Sequence, residues 1–166
     1  MSRKSPIVVE IEDARWKKAV RGLSARIGKI IDATLSQEKA KGSLTLLLSD
    51  DAKLKELNSR FRGKSKPTNV LSFPSEEDGY LGDVAIAYGV TSREAKAAGK
   101  TLTDHTLHLA VHGALHLLGH NHENPREAHR MERLEREILA EFGIADPYAM
   151  NTPKRRARSK KRYARS

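Results

Sequence analysis

Three histidines in the second half of the chain have a spacing at which they could bind one metal ion. His112, His116 and His122 lie in VHGALHLLGHNH, which has the pattern H-x-x-x-H-x-x-G-x-x-H. Because a helix turns about 100° per residue, His112 and His116 would lie on one helix face, one turn apart. Gly119 can end that helix with a positive φ, so that the chain reverses and brings His122 to the same point.

These three side chains favour a catalytic zinc site, with one ion per chain, over a structural site. Imidazole nitrogens suit zinc, and three protein ligands leave a fourth position open for water or a substrate. The spacing matches that of the metzincin metalloproteases, but Gly113 stands where those enzymes have their glutamate base. Because glycine cannot accept a proton, peptide hydrolysis by that route is disfavoured. The alternative is a histidine-rich helix whose imidazoles only pack or contact solvent.

The chain resembles the YbeY family of bacterial zinc-dependent endoribonucleases, which act in ribosomal RNA maturation. The motifs that carry the resemblance are LNSRFRGKSKPTNVLSFP (57–74), LGDVAI (81–86) and HLAVHGALHLLGHNH (108–122). The resemblance extends over residues 7 to 148, in the family's order and spacing. Where the family usually has Tyr-Asp before its last ligand, this chain has His120 and Asn121. Asn121 removes a carboxylate that could accept a proton, and His120 adds a potential competing ligand, although the family spacing favours His122.

The resemblance also implies roles for residues outside the three ligands. Arg62 matches a family arginine thought to act at the active site, and arginine can bind phosphate through two N–H groups and stabilise extra charge on it. His108 resembles a histidine often found one turn before the first ligand, and we expect it to line the cleft or to support a ligand. Asp83, in a Gly-Asp pair that the family shares, could orient a ligand histidine or close a turn. Lys64 and Lys66 are candidates for contacts to the RNA backbone.

The positive charge of the chain is concentrated at its C-terminal end. The formal net charge is +10, and the segment 154–165 holds eight of the 31 Lys and Arg residues and no acidic residue. The rest of the chain therefore carries 23 basic and 21 acidic residues. We expect residues 1–150 to form a single domain and residues 151–166 to form a basic, disordered tail that binds nucleic acid without sequence preference. A solubilising tail without a partner is the alternative.

The composition favours a cytoplasmic protein without a membrane partner, and we expect the protein to be a monomer. No apolar run approaches the roughly 20 residues that are needed to cross a bilayer. The run at Ile7–Ile11 is too short for a secretory signal. The chain has no cysteine, which excludes disulfide and thiolate chemistry.

Predicted strands and helices alternate along the chain, which indicates an α/β (α+β) domain. Apolar and β-branched runs predict strands at 7–11, 44–48, 69–73 and 84–87. Apolar periodicity and caps predict helices at 13–31, 50–62 and 91–98, and two more that start near 103 and 124. The predicted buried stripe of the last helix is Ala128, Met131, Leu134, Ile138 and Phe142. By resemblance, the fold is a small mixed sheet, mostly parallel with one antiparallel edge strand, packed with helices, with the metal-binding helix beside the sheet edge.

The combined prediction is a metal-dependent endoribonuclease that cleaves single-stranded RNA. Zinc would lower the pKa of water or polarise a phosphoryl oxygen, while Arg62 would neutralise charge that develops at phosphorus. The sequence leaves two nucleophiles open, an activated water and the RNA 2′-hydroxyl. By resemblance, the substrate is the 3′ end of 16S ribosomal RNA on the small ribosomal subunit, with a further role in ribosome quality control. The alternative is a ribosome-assembly or RNA-binding factor with a structural metal and little cleavage of its own.

Overall fold

The computed structural model describes residues 7–149. Its strands and helices follow the order β1 (Ile7–Ile11), α1 (Arg15–Ala19), α2 (Leu23–Gln37), β2 (Ser43–Ser49), α3 (Asp51–Arg62), β3 (Val70–Pro74), β4 (Tyr80–Ala87), α4 (Tyr88–Ala97), α5 (Leu102–Leu117) and α6 (Pro125–Glu141). The predicted basic tail lies outside the described residues.

The four strands form one sheet in the order β1-β2-β4-β3. β1 is parallel to β2, and β2 is parallel to β4. β3 lies at the edge and runs antiparallel to β4, to which it is joined by a short turn, a connection that only antiparallel strands allow. The predicted fold class, a mixed and mostly parallel sheet with one antiparallel edge strand, is confirmed.

Different helices cover the two faces of the sheet. Each strand contributes to the packing on both faces, because its successive side chains point to opposite sides. Leu46 and Val84 belong to the main core, which they form with residues of α2, α5 and α6. Leu71 and Ala85 point the other way and pack with Leu54 of α3. Helix α5, which carries the predicted ligands His112 and His116, therefore lies on one face, and α3 lies on the other.

Helix α5 runs through the interior and is buried over most of its length. Of its 16 residues, 12 are buried, and the side chain of Thr101 caps its start by accepting a hydrogen bond from the backbone N–H of Asp104 at 3.0 Å. Such a helix holds its side chains in fixed positions because its backbone is packed on nearly every side. Within residues 7–149, no helix has both the length and the apolarity that crossing a bilayer requires.

The structure corrects two details of the predicted helices. The helix predicted over 13–31 is interrupted, because α1 ends at Ala19 and Gly22 adopts φ 71° before α2 begins at Leu23. Phe142, predicted to be buried, lies just beyond the end of α6 and is 37% exposed. Phe142 therefore does not continue the buried stripe of α6 to which it was assigned.

Candidate metal centre

The end of α5 brings the three predicted ligands together. The ring centroids of His112 and His116 are 4.6 Å apart, and that of His122 lies 5.7 Å from the first and 5.1 Å from the second. One ring nitrogen from each histidine lies within 4.8 Å of the others, so that this group can hold a metal ion. The three rings converge because the chain reverses at Gly119, which has φ 101°.

The reversal at Gly119 is a Schellman motif, a common helix end in which two backbone N–H groups bond back to the last turn. The N–H of Gly119 donates to the carbonyl of His116, and the N–H of His120 donates to that of Leu115, both at 3.0 Å. These bonds satisfy carbonyl groups that the end of a helix would otherwise leave without partners. The position of His122 is thus set by the backbone of α5 itself.

Hydrogen bonds to the Nδ1 atoms orient two of the three rings. His116 Nδ1 donates to the carbonyl oxygen of His120 at 2.9 Å, and His112 Nδ1 lies 2.7 Å from Glu135 Oε2. With Nδ1 protonated, Nε2 of each ring keeps a lone pair for a metal. His112 Nε2 is buried and has no hydrogen-bond partner among residues 7–149. Burial and the neighbouring His112 lower the pKa of His116 to about 4, which keeps this imidazole neutral and able to bind a metal at neutral pH.

Glu135, on α6, is a supporting residue that the sequence interpretation missed. Its side chain is fully buried, and besides His112 Nδ1 it accepts hydrogen bonds from His108 Nε2 at 2.8 Å and from the Tyr148 hydroxyl at 2.5 Å. Burial alone would raise the pKa of Glu135, but the hydrogen bonds from His108 and His112 outweigh it and hold the pKa well below its usual range. Glu135 is therefore an ionised acceptor that fixes the tautomer of His112.

His108 lies behind the three-histidine cluster and does not line the cleft in front of it. It is buried, and burial lowers its pKa, against the opposing effect of Glu135. His108, His112 and Glu135 form a second group with the spacing to hold a metal ion. The distances of 2.7 and 2.8 Å from Glu135 to these two rings are those of charge-assisted hydrogen bonds. The geometry gives His108 a supporting position, which is one of the two positions predicted for it.

The side chains of His120 and Asn121 make hydrogen bonds outside the three-histidine cluster. The His120 ring bonds through Nε2 to Glu38 Oε1 at 2.7 Å, at the end of α2. The suggestion that it competes as a ligand is therefore wrong, and it acts on the centre through its backbone carbonyl. Asn121 Oδ1 accepts a hydrogen bond from the N–H of Glu123 at 2.9 Å, which shapes the turn that follows the third histidine.

Asp83 does not orient a ligand histidine. Its carboxylate accepts a very short hydrogen bond from the Tyr80 hydroxyl, three residues earlier on β4. Neighbouring side chains on a strand alternate between faces, and Val84 is the one that contacts α5. Asp83 therefore points to the opposite face of the sheet. Of its two predicted roles, the one at the metal centre is corrected.

Gly113, at the position where metzincins carry a base, is a point of close contact between α5 and the sheet. A Cβ atom there would lie 2.6 Å from Val84 Cγ1 and 3.2 Å from Ser72 Oγ. The Ser72 hydroxyl donates to the carbonyl of Gly113 at 3.1 Å. The glycine therefore brings α5 against β3 and β4, and it contributes no group to proton transfer.

The three histidines lie in the wall of an open cleft of about 910 Å³ that follows the free edge of β3. Arg62, Lys64, Lys66 and Asn69 line the same cleft. Arg62 Nη2 donates to the carbonyl of Ser72 at 3.0 Å, which fixes the guanidinium at the cleft wall. The structure thus places the predicted Arg62, Lys64 and Lys66 in the wall of the same cleft as the histidine cluster.

Fold and centre together define a class: a small α/β protein that can hold one metal ion on three histidines in the wall of an open cleft with cationic side chains. The family model described as Endoribonuclease YbeY matches residues 9–143 of this chain. The chain belongs to the YbeY family of endoribonucleases. The predicted family and the predicted enzyme class, a nuclease, are confirmed.

Individual relatives cover most of the chain. Endoribonuclease YbeY of Chelativorans sp. (strain BNC1) is 53% identical over 116 residues, which are 66% of this chain and 71% of the relative. Endoribonuclease YbeY of Dinoroseobacter shibae is 41% identical over 87% of this chain and 91% of the relative. The solution structure of TM1509 from Thermotoga maritima has a TM-score of 0.58 and 23% identity, and covers 90% of this chain and 99% of that chain. That likeness shows the fold alone.

Proposed function

We propose that this protein is a zinc-dependent endoribonuclease that cleaves single-stranded RNA during maturation of ribosomal RNA. The observation that carries the proposal is the convergence of the three histidines in the wall of the cleft that Arg62 also lines. The substrate would be the 3′ end of 16S ribosomal RNA on the small ribosomal subunit, with a further role in ribosome quality control. We propose a cytoplasmic, monomeric protein with one domain over residues 1–150.

The residues present fit a zinc ion. His112, His116 and His122 offer three imidazole nitrogens, which is a donor set that zinc binds in catalytic sites. Two observations support the fit: His112 Nε2 is buried without a hydrogen-bond partner among residues 7–149, and Glu135 fixes the opposite ring nitrogen. Bound zinc would supply Lewis acidity, which polarises a phosphoryl oxygen and lowers the pKa of water.

Arg62 would act on the phosphate that is cleaved. Its guanidinium has five N–H donors, and the bond from Nη2 to Ser72 anchors it without changing its charge. An arginine held in this way can bind a phosphodiester through two donors and stabilise the additional negative charge of the transition state. Lys64 and Lys66, in the loop after α3, would attract the flanking phosphates.

The side chains beside the ligands do not determine whether water or the RNA 2′-hydroxyl is the nucleophile. Gly113 and Asn121, at the two positions beside the ligands where a carboxylate could act as a base, cannot accept a proton. Attack by the RNA 2′-hydroxyl would leave a 2′,3′-cyclic phosphate, and attack by water would not. Analysis of the product ends therefore distinguishes the two.

The proposal is tested by incubating the protein with an unstructured RNA and with the same strand in a duplex. We expect the wild type to cleave the single strand and to leave the duplex intact. Arg62→Ala should lose cleavage and retain zinc, and its loss of RNA affinity should be small compared with its loss of cleavage. Arg133→Ala, which removes an exposed arginine of α6 that is paired with Glu137, is the matched control and should cleave like the wild type. If the wild type supports ribosomal RNA processing in cells yet cleaves no RNA in vitro, the assembly-factor alternative is supported.

A further inference from the structure

The apolar stripe of α3 continues beyond the part of the helix that the sheet covers. Leu54, Leu57 and Phe61 follow at the three- and four-residue steps of one helix face. Leu54 is fully buried and Leu57 is partly buried, whereas Phe61 is 58% exposed. The last member of a core-facing stripe is thus left open to solvent, in the final turn of the helix.

Phe61 forms part of an aromatic and cationic surface. Its ring packs edge to face on Phe73 of β3, with the ring centroids 5.3 Å apart. The guanidinium carbon of Arg60 lies 5.6 Å from the centroid of Phe61, and that of Arg62 lies 5.9 Å from the centroid of Phe73. We call these four residues the Phe61 platform.

The Phe61 platform adjoins the cleft of the metal centre. Arg62 belongs to both, and Ser72 and Pro74, the two chain neighbours of Phe73, also line the cleft. Phe61 does not itself line the cleft, but it is the chain neighbour of Arg62 and its ring is exposed, so that a strand that leaves the cleft past Arg62 can reach it. The platform combines an aromatic face with positive charge, the two features with which proteins hold single-stranded nucleic acid.

We propose that the Phe61 platform stacks an unpaired base of the RNA whose backbone Arg62 contacts; this inference rests on the proposed function. Every RNA base has a flat π-face, so that one exposed phenyl ring can stack on any of the four bases. The nearby guanidinium groups add cation–π attraction and phosphate contacts. A base inside a duplex is covered on both faces by its neighbours and cannot reach the ring. The platform therefore gives a physical reason for selecting single strands.

The inference is tested by comparing two oligomers that differ only in their bases. One is a 2′-O-methyl oligoadenylate of roughly 12 nucleotides, within the usual site sizes for single strands. The other is an abasic chain of the same length with the same 2′-O-methyl backbone. Affinities are measured by fluorescence anisotropy, and a gel after each titration checks that the oligomer is intact. We expect Phe61→Ala to weaken binding of the oligoadenylate about fivefold or more, the lower limit for one stacked base. Binding of the abasic chain should be unchanged.

Two control variants separate stacking from loss of structure. Phe61→Tyr keeps the aromatic ring and should bind both oligomers like the wild type. Phe142→Ala removes another partly exposed phenylalanine, at the end of α6 and outside the residues that line the cleft, and should also bind like the wild type. Circular dichroism and thermal melting check that each variant is folded.

Three outcomes would overturn the inference. Phe61→Ala could bind both oligomers as tightly as the wild type, or it could lose affinity for both to the same extent. Alternatively, a wild-type dimer could become a monomer in Phe61→Ala by analytical ultracentrifugation, in which case the surface belongs to a second copy of the chain. If the wild type cleaves unmodified RNA while Phe61→Ala keeps full affinity, only the platform is refuted. If Phe61→Ala loses base-dependent affinity while the wild type cleaves no RNA, only the proposed cleavage is refuted.

Discussion

Replacing Glu135 with glutamine should weaken zinc binding without removing any ligand. Three donors converge on this carboxylate: the N–H groups of His112 and His108 at 2.7 and 2.8 Å, and the Tyr148 hydroxyl at 2.5 Å. An ionised carboxylate only accepts hydrogen bonds, whereas a glutamine amide has one accepting oxygen and one donating NH₂ group. In Glu135→Gln, at least one of the three donors must therefore face another donor.

The magnitude follows from the position of His112 in this network. If the imidazole proton moves from Nδ1 to Nε2 to avoid the amide, His112 loses the nitrogen that would bind the metal. Loss of such a supporting carboxylate typically reduces metal affinity 10- to 100-fold, which is about 1.4 to 2.7 kcal/mol. Tyr148→Phe removes only the third donor and leaves both histidine bonds, so that its effect on zinc affinity should be much smaller.

The assay is competition for zinc with a chromophoric chelator at constant pH, together with ¹⁵N NMR of the His112 ring to identify its tautomer. Glu137→Gln is the matched control, because Glu137 lies two residues further along α6 and its side chain is 52% exposed. It should bind zinc like the wild type. A folded Glu135→Gln protein with wild-type zinc affinity and an unchanged tautomer would refute the assigned role of Glu135.

Three further predictions follow from the same contacts. The metal-free protein should lose stability as the pH falls from about 6.5 toward about 4. The pKa of His116 is lowered in the folded state, so that the unfolded chain binds more protons in this range. Thermal melts at several pH values would show a falling Tm, and a flat profile would contradict the prediction. Gly113→Ala should destabilise the fold by about 1 to 3 kcal/mol, because its Cβ would clash with Val84 Cγ1 at 2.6 Å. Urea unfolding would show this, and the double variant with Val84→Ala should lose less stability than the sum of the two single losses. Lys64→Ala combined with Lys66→Ala should weaken RNA binding and reduce the slope of log K against log salt by about 1.4, since each phosphate contact on a single strand contributes about 0.7. An unchanged slope would mean that neither lysine contacts phosphate.

The parts of the centre that depend on local spacing could be predicted from the sequence. His112 and His116 are one helical turn apart, and Gly119 is placed to reverse the chain, so that helix geometry alone brings the three rings together. The sheet could be predicted as well, because its strands have apolar runs bounded by turns and its family motifs occur in order. Arg62 is close in sequence to β3, which it contacts through Ser72.

The missed features depend on contacts between distant segments. Glu135 lies 23 residues beyond His112, and its only signal was its place on the buried stripe of α6, four residues after Met131 and three before Ile138. An acidic residue on a buried stripe requires a partner, but periodicity cannot identify that partner. The ring of His120 is held by Glu38, 82 residues away, which no local pattern could indicate. The sequence left two roles open for Asp83 because the direction of its side chain depends on the alternation along β4, and the predicted strand began only at residue 84.

The central claim is that three imidazoles hold one metal ion that RNA cleavage requires. The most direct measurement is the zinc content of the purified wild type and of His112→Ala, made together with cleavage of a short unstructured RNA. We expect about one zinc ion per chain in the wild type, and loss of both zinc and cleavage in His112→Ala. A wild-type preparation that contains no bound metal and still cleaves RNA at its full rate would contradict the claim.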